Sequence, residues 1–327
     1  MVIGASTLLG QGATVVGAGY ATPTIIRVAP GQITTIFVVG LTPDFSKPQL
    51  AAGVPLPTTL AGVSVVFNQN SLKQTTVAPL LSVQQSNLCS FGLSGAMNPV
   101  PLECTITAVT LQVPYELSTG GELSLPLTEL VVTVNGVSSR TFRVSLFVDN
   151  VHVLNTCDSY PVKRTAQPNL ATDCNSVVNH ADGTPVTAVT PAKPGETVVI
   201  YGYGLGQTSP LPKNGEATPT PAPILGPNQD VLIQFDFNEN ARPSNPRSSR
   251  QFSLYPKFVG LTPGQVGLYQ INVALPYSIP QIEPCTPNVA CTGNPAFCPL
   301  PITSNLTIDI GGVSSFDGAA ICVQPPK

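Results

Sequence analysis

The sequence predicts an all-β protein of the sandwich or barrel type, and three observations lead to that fold class. Only 9% of the 327 residues are charged, whereas 35 are proline and 28 are glycine, and no window has a helical apolar period. Short runs rich in Val, Ile, Thr and Phe alternate with Pro, Gly, Asn and Ser, which is typical of many short strands joined by turns. The same order of motifs also occurs twice along the chain, which indicates an internal duplication.

The first domain is predicted over residues 22–149, with about seven strands. Asn135-Gly136 stands between two apolar runs and is the strongest hairpin signal in the chain, because both residues tolerate the positive φ of a type I′ turn. The predicted strands are Ile25–Val28, Ile33–Val39, Val63–Phe67, Val77–Val83, Ile106–Val113, Leu130–Val134 and Thr141–Val148.

The second domain is predicted over residues 185–327 as a copy of the first. Its most informative stretch is Gly260–Pro276, where the turn at Thr262, Pro263 and Gly264 leads into an apolar strand that stops at proline. Four sequence motifs of the first half recur in the same order in the second half. Their copies in the second half are Pro194-Gly195 with Gly204-Leu205, Phe237–Asn240, Leu275-Pro276-Tyr277 and Leu306–Ser315. Their earlier counterparts are Pro30-Gly31 with Gly40-Leu41, Phe67–Asn70, Val113-Pro114-Tyr115 and Leu130–Ser139.

Two stretches of the second half, PAKPGETVVIYGYGLG over Pro191–Gly206 and VGLTPGQVGLYQINVALP ending at Pro276, carry a family resemblance. They resemble the C-terminal β-sandwich domain of large secreted proteins from soil and water bacteria, which is related to the immunoglobulin-like TIG/IPT modules. The resemblance covers roughly residues 180–323, and the first half matches more loosely because Thr105–Leu111 replaces GLYQ. It implies two tandem immunoglobulin-like sandwiches and secretion, with a structural or adhesive role and no catalytic apparatus.

Residues 1–21 form an apolar, uncharged N-terminal arm with three open interpretations. A secretory signal fits the small-residue ending, but the segment has no Lys or Arg at its start and glycines interrupt its apolar run. A strand docked on its own sandwich and a strand donated to a neighbouring molecule both explain an apolar terminus. The residues expected to anchor the strand are Val2, Ile3, Leu8, Leu9, Val15 and Val16.

The eight cysteines predict disulfides and an oxidising compartment, since their number is even and no CxxC metal spacing occurs. Residues 150–184 are predicted to be a connector stapled by Cys157 and Cys174, and Cys89 and Cys104 bracket a loop of the first domain. The remaining four, Cys285, Cys291, Cys298 and Cys322, allow three connectivities that the sequence leaves open. Thr208–Pro223 is expected to be a solvated Pro/Thr-rich excursion.

No constellation for catalysis is evident, and we expect no enzyme activity, no cofactor and no metal site. His152 and His180 are the only histidines and are expected to be surface residues, and no GxSxG elbow is present. Asp236 with Gln234 is expected on the wet face of a strand, and no loop has the oxygen ligands of a calcium site. Gly202–Gly206 is interpreted as a strand end with left-handed glycines rather than a phosphate loop, because no helix or lysine follows.

The net charge of −3 leaves no basic stripe for nucleic acid, and no apolar run is long enough to span a bilayer. These features suit a secreted, extracellular or cell-surface protein. Asn305 begins an N-x-[ST] sequon in a predicted strand whose Thr307 and Asp309 are expected to face solvent. Asn305 is therefore a candidate for a covalent glycan.

Two functions follow from these expectations. The first is a structural subunit of a pilus-like fibril, in which each protomer donates its arm as a strand to the next and the partner is another copy of the chain. The alternative is a secreted adhesive or carbohydrate-binding module that presents its site on loops. Its aromatic candidates, in the absence of Trp, are Tyr160, Tyr203 and Tyr255.

Overall fold

A computed structural model describes residues 14–19, 27–41, 47–87, 105–120, 127–158, 176–226, 230–237, 251–282, 284–285 and 304–326. These residues form β-strands and two short 3₁₀ turns, Asn70–Leu72 and Thr156–Asp158, so the predicted all-β class is confirmed. No helix among them is long and apolar enough to cross a membrane.

The first module consists of two packed sheets that contain strands β1 to β11. One sheet has the order β1-β3-β8-β7-β4 and the other the order β2-β11-β9-β5-β6, with β10 beside β9. The strands are β1 Thr14–Gly19, β2 Arg27–Val28, β3 Ile33–Val39, β4 Gln49–Leu50, β5 Val63–Gln69, β6 Gln74–Val77, β7 Leu80–Asn87, β8 Thr105–Gln112, β9 Thr128–Val134, β10 Val137–Ser138 and β11 Phe142–Leu146.

The second module also has two packed sheets and contains β12 to β22. Its sheets have the orders β12-β14-β20-β19-β16-β15, with β13 also on β14, and β18-β17-β21-β22. The strands are β12 His152–Val153, β13 Val178–His180, β14 Thr197–Tyr203, β15 Thr208–Ser209, β16 Ile224–Leu225, β17 Val231–Asp236, β18 Gln251–Leu254, β19 Phe258–Leu261, β20 Tyr269–Ala274, β21 Ser304–Ile310 and β22 Val313–Ile321.

Each module has a hydrophobic core of its own between its two sheets. The first core includes Val65, Phe67 and Leu130, and the second includes Phe235, Ile271 and Leu306; all of these are at most 1% exposed. In β5, β9, β14 and β20 buried residues alternate with more exposed ones, as expected for strands with one face on a core. Two separate cores explain why the sequence pattern repeats: each copy folds around its own sandwich.

The strand pairing of the first module recurs in the second. Strand β3 pairs with β8 as β14 pairs with β20, and β5 pairs with β9 as β17 pairs with β21. The turns that begin β3 and β14 both contain a left-handed glycine, Gly31 with φ 78° and Gly195 with φ 81°. The predicted left-handed glycines of the GYGLG stretch are also present, at Gly204 and Gly206.

The arm and the connector occupy the same place in the two modules. Strand β1 pairs antiparallel with β3 of its own chain, from Thr14 opposite Val39 to Gly19 opposite Thr35, with a bulge between Val15 and Gly17. In the second module β12 and β13 pair with β14, whose Tyr203 is the repeat equivalent of Val39 and lies opposite His152. Residues 14–19 are therefore docked in cis, as the first strand of their module.

The predicted connector forms one strand that is interrupted between Leu154 and Val177. Tyr201 accepts a hydrogen bond from Leu154 N (2.8 Å) and donates one to Val177 O (3.3 Å), so both residues lie beside it. The chain leaves and returns through a bridge between Asn155 and Ser176. The interruption of this strand thus lies at the position of the bulge in β1. The predicted connector supplies two strands, β12 and β13, to the second module.

Several predicted solvent-facing residues are buried. Gln234 and Asp236 on β17 are 1% and 7% exposed, and Thr307 and Asp309 on β21 are 7% and 4% exposed. The expectation that they face solvent is wrong, because β17 and β21 are the inner strands of their sheet and the flanking strands shield them. The sequon residue Asn305 lies on β21, opposite Asp236, and its glycosylation stays a prediction.

The two modules meet end to end through hydrogen bonds and close backbone contacts. At the first module's end, where β3 begins, Gln112 Oε1 accepts from Gly215 N (2.6 Å), and Leu56 N donates to Gly215 O (2.8 Å). Asn150 N donates to Gly204 O (2.7 Å), at the end of β14. The excursion Thr208–Pro223 was expected to be solvated, but its middle packs on the first module, so that expectation is wrong.

Some predicted positions lie outside the described residues. They are Val2, Ile3, Leu8, Leu9, Cys89, Cys104, Tyr160, Cys174, Cys291 and Cys298. Val15 and Val16 lie on β1, and Cys157 lies in the second 3₁₀ turn.

Candidate binding site at the free end of the second module

The two modules carry equivalent tyrosines whose surroundings differ. Tyr115 follows β8 and its ring lies on Gly31, while Tyr277 follows β20 and its ring lies on Gly195. Tyr115 is 2% exposed and Tyr277 is 88% exposed. The same structural position is therefore a buried contact in one module and a presented aromatic ring in the other.

The second module covers Tyr115. Tyr115 N donates to Asn214 Oδ1 (2.9 Å), and Gln207 Nε2 donates to Tyr115 O (3.2 Å). Burial raises the pKa of the Tyr115 phenol, and a side-chain hydrogen bond with Gln112 opposes that rise. The hydroxyl of Tyr269 donates to Gly206 O, and burial followed by the nearby Tyr115 raises the pKa of Tyr269.

The turns beneath the two tyrosines differ in polarity. In the first module this turn has Ala29, which is fully buried, and Ile33, which is 4% exposed. Their repeat equivalents are Lys193, which is exposed, and Thr197, which is half-buried. The turn of the first module is thus apolar and buried, whereas the turn of the second module carries polar side chains that are exposed or half-buried.

An open cleft of about 710 Å³ lies beside this second turn, a size within the range of small-ligand sites. The cleft lies between the end of β13, the loop that follows β13, the turn before β14 and the residues after β22. Residues that line it include His180, Asp182, Thr190, Lys193, Glu196 and Gln324.

His180 is fixed in the cleft by two acceptors. Its Nδ1 lies 2.7 Å from Glu196 Oε1 and its Nε2 lies 3.0 Å from the Thr190 carbonyl oxygen. Because a carbonyl oxygen only accepts, Nε2 donates, and both ring nitrogens are engaged. His180 therefore organises the wall of the cleft; it was expected to be an ordinary surface residue, and it is 17% exposed.

Asp182 presents a carboxylate at the edge of the cleft. Its Oδ1 accepts hydrogen bonds from the Thr184 hydroxyl (2.7 Å) and backbone N–H (2.9 Å). The hydroxyl bond, followed by the backbone bond, lowers the pKa of Asp182 below its usual value. Asp182 is exposed and its turn is fixed by these bonds, which suits the carboxylate to accept hydrogen bonds from a polyol.

Tyr255, the second exposed aromatic residue at this end, is 72% exposed. It precedes Lys257, whose Nζ donates to Thr197 Oγ1 (3.0 Å) at the cleft. Tyr255 was one of the predicted aromatic candidates, and it lies at this end of the module. Tyr277 was not predicted, although its position as the repeat of Tyr115 marked it as a module-end residue.

The other predicted aromatic residue and the other histidine lie elsewhere. Tyr203 is a half-buried residue of β14 rather than a loop residue, and burial, followed by the charge of Asp158, raises its pKa to about 12. His152 Nε2 lies 2.7 Å from Asp158 Oδ2, which also accepts from Asn155 N (2.8 Å). This pair joins β12 to the second 3₁₀ turn, where the chain leaves the interrupted strand. Among the described residues no His, Cys, Asp and Glu side chains group in a way that could hold a metal ion.

Comparison with solved structures shows similarity to known proteins, and comparison with family models and curated proteins shows none: no family model and no curated protein matches the chain. The crystal structure of the surface glycan-binding protein PbSGBP-B from Prevotella bryantii matches with a TM-score of 0.22 and 10% sequence identity. The match covers 94% of this chain and 41% of that chain, and at this TM-score it carries no argument about function.

Proposed function

We propose that this protein is a secreted, non-enzymatic binding module whose free end, at Tyr277 and the adjacent cleft, binds a glycan at the cell surface or in the extracellular medium. The observation that carries the proposal is the exposure of Tyr277, which is 88% exposed where its equivalent Tyr115 is 2% exposed. A presented aromatic ring beside charged groups and hydroxyls is a general arrangement for sugar recognition, since a sugar ring has one apolar C–H face and polar edges.

The groups of the cleft match that chemistry. Asp182 and Glu196 offer carboxylate oxygens to sugar hydroxyl groups, and Lys193 offers a donor on the rim. The Tyr277 ring lies on Gly195 and is 88% exposed, so its outer face is open to a stacked ligand. Because both nitrogens of His180 are engaged, the histidine supports binding and has no free nitrogen for acid–base catalysis.

A glycan array probed with the full chain and with three variants tests the proposal. Wild-type protein is expected to bind a defined subset of glycans, and Tyr277→Ala to weaken that binding at least about tenfold, because such aromatic contacts are commonly worth 1.4 kcal/mol or more. Lys193→Ala is expected to weaken it as well. Val137→Ala changes an exposed residue of the first module and is the control, with unchanged binding.

Two results would overturn the proposal. One is a wild-type protein that binds no glycan on a broad array. The other is specific binding that both cleft variants leave unchanged, which would place the site elsewhere on the molecule.

A second candidate function is the fibril subunit that polymerises by strand exchange. The observation that favours it is that β1 is an edge strand, and β3 is its only strand partner among the described residues. The slot beside β3 would accept β1 of another copy with the same register. Deleting Met1–Tyr20 is then expected to abolish filaments that negative-stain images of the wild type show. Monomeric wild-type protein at all concentrations would refute this candidate.

A further inference from the structure

Two cysteine side chains meet where the last strand of the second module ends. Cys322 directly follows β22 and is 6% exposed, and Cys285 is half-buried in the segment after β20. The Cys322 thiol donates a hydrogen bond to the Cys285 sulfur, which also accepts one from the Val323 backbone N–H. Both side chains are reduced thiols in the structure, and they are hydrogen-bonded neighbours.

The backbone holds Cys322 in this position. Its carbonyl oxygen accepts from Ala192 N (2.9 Å), and Gln324 N donates to Ala192 O (2.7 Å). These bonds fix the residues on either side of Val323 against the second module. The contact between the thiols is therefore set by paired backbone rather than by a mobile terminus.

We propose that Cys285 and Cys322 form a disulfide bond when the protein folds in an oxidising compartment. Among the three connectivities open to the last four cysteines, one contains this bond, and it pairs Cys291 with Cys298. The proposal stands apart from the glycan-binding proposal, since neither needs the other.

The bond forms by exchange with an external disulfide, such as oxidised glutathione. The Cys285 thiolate attacks one sulfur of the oxidant, which gives a mixed disulfide and releases one thiol. The Cys322 thiolate then attacks the Cys285 sulfur and releases the second thiol. The two cysteines lose two electrons and two protons, and the oxidant is reduced to two thiols. Cys285 reacts first because it is the more exposed, and the hydrogen bond from Cys322 lowers the pKa of its thiol.

The bond would lock one wall of the cleft. Ala192 stands next to Lys193, and Gln324 lines the cleft. A covalent tie at Cys322 therefore fixes the strand end that positions both. Reduction would loosen this wall without touching any group that faces the ligand.

Peptide mapping of the full chain tests the proposal. The protein is folded with reduced and oxidised glutathione, its remaining thiols are alkylated, and it is cleaved after acidic residues without reduction. Cleavage at Asp309 and Asp317 separates Cys322 from the other three cysteines of the group. The peptide that carries Cys285 also contains Cys291 and Cys298, so the expected product is a linked pair of peptides that is four hydrogens lighter than the reduced peptides, two for each disulfide, and that separates on reduction.

Variants identify the partner of Cys322. In Cys285→Ser we expect Cys322 to become alkylated and the linked pair to disappear, whereas Cys291→Ser is the matched control that keeps it. Among the last four cysteines, the double variant Cys291→Ser with Cys298→Ser keeps only the two proposed partners, and it guards against misfolding of Cys285→Ser. Alkylated Cys322 in the oxidised wild type, or a link that persists in Cys285→Ser, would overturn the proposal.

Discussion

At the scale of single residues, three glycines with positive φ allow a matched comparison. Gly31 and Gly195 are equivalent positions of the duplicated turn, and Gly136 lies in the hairpin after β9. A Cβ at Gly31 would lie 2.0 Å from Tyr115 Cε1, and one at Gly195 would lie 2.4 Å from Tyr277 Cδ1. A Cβ at Gly136, which also has positive φ, would meet nothing within 4 Å. The three positions therefore separate the cost of the backbone conformation from the cost of a clash.

We expect Gly136→Ala to lower the free energy of unfolding by about 1 kcal/mol, from the left-handed conformation alone. Gly31→Ala should cost about 1–3 kcal/mol more, because the buried Tyr115 ring cannot move aside. Gly195→Ala should resemble Gly136→Ala, since the exposed Tyr277 ring can rotate away. Denaturant unfolding of the three variants measures these differences, and equal losses for Gly31→Ala and Gly195→Ala would contradict the difference in burial.

Buried tyrosines predict a loss of stability in alkali. Burial raises the pKa of Tyr203 from 10.0 to about 12 and raises the pKa values of Tyr115 and Tyr269 as well. Above pH 10 the unfolded chain loses these protons while the folded chain retains them, so the free energy of unfolding falls as pH rises towards 12. Below pH 10 these phenols contribute no pH dependence.

Tyrosinate absorbance and denaturant unfolding between pH 9 and about 12 measure this effect. Tyr203→Phe removes one of the three groups and should make the decline with pH shallower. A free energy of unfolding that stays constant over this range would show that the phenols ionise equally in the folded and unfolded chain.

At the scale of elements, the interrupted first strand of the second module predicts a tolerated deletion. Removing residues 155–176 joins Leu154 to Val177, the two residues that lie beside Tyr201, and leaves the bulged pattern that β1 has at Val15 and Gly17. We expect this variant to fold with unchanged β-sheet circular dichroism. It loses the His152–Asp158 pair, which lies where the chain leaves the interrupted strand and is not part of the core.

The control is the deletion of residues 154–177, which is two residues longer. It joins Val153 directly to Val178, which are 0% and 3% exposed, and because neighbouring strand residues point to opposite faces, one of the two would turn away from the core. We therefore expect it to unfold at a clearly lower denaturant concentration than the shorter deletion. Equal stability of the two variants would contradict the assignment of β12 and β13 to one interrupted strand.

The elements also show what the sequence could predict. Alternation and turn residues gave Ile33–Val39 with both ends correct, and Asn135-Gly136 predicted the turn after β9, although the return strand was expected at Thr141–Val148 and the turn leads into β10. These signals are local. Burial of Asp309 depends on which strands flank β21, and a strand split between β12 and β13 has no continuous pattern, so neither could be predicted from neighbouring residues.

At the scale of the whole molecule, the modules are joined through one end of the first module, and Tyr115 lies in that junction. Tyr115→Ala should lower the free energy of unfolding by about 3–5 kcal/mol, as expected for a buried aromatic side chain. Tyr277→Ala should change it by less than about 0.5 kcal/mol, because the ring is exposed. Denaturant unfolding of both variants measures the contrast.

The variants Tyr115→Ala and Tyr277→Ala also distinguish an effect on stability from an effect on binding. Tyr277→Ala is expected to lose glycan binding and to unfold like the wild type. Tyr115→Ala is expected to be less stable and, in its folded state, to bind glycan like the wild type. A large loss of stability in Tyr277→Ala would mean that the ring serves the fold, contrary to its exposure.

The candidate site was the part least accessible from sequence. His180 and Glu196 come together only because β13 and the turn before β14 lie side by side, and the exposure of Tyr277 depends on how the modules stack. Of the aromatic candidates, Tyr255 was placed correctly at an exposed position and Tyr203 was not. Local patterns identify strands, whereas the contacts of a site depend on tertiary arrangement.

The end-to-end junction sets how far the site stands from the opposite tip of the molecule. The start of β3 meets the end of β14, so the start of β14, with Tyr277, points away from the first module. Seven-residue strands at about 3.3 Å per residue make each module at least about 23 Å long, which separates Tyr277 from the far end of β3 by roughly 45 Å. If the chain is held near Gly40, the first module would therefore act as a spacer for the proposed site.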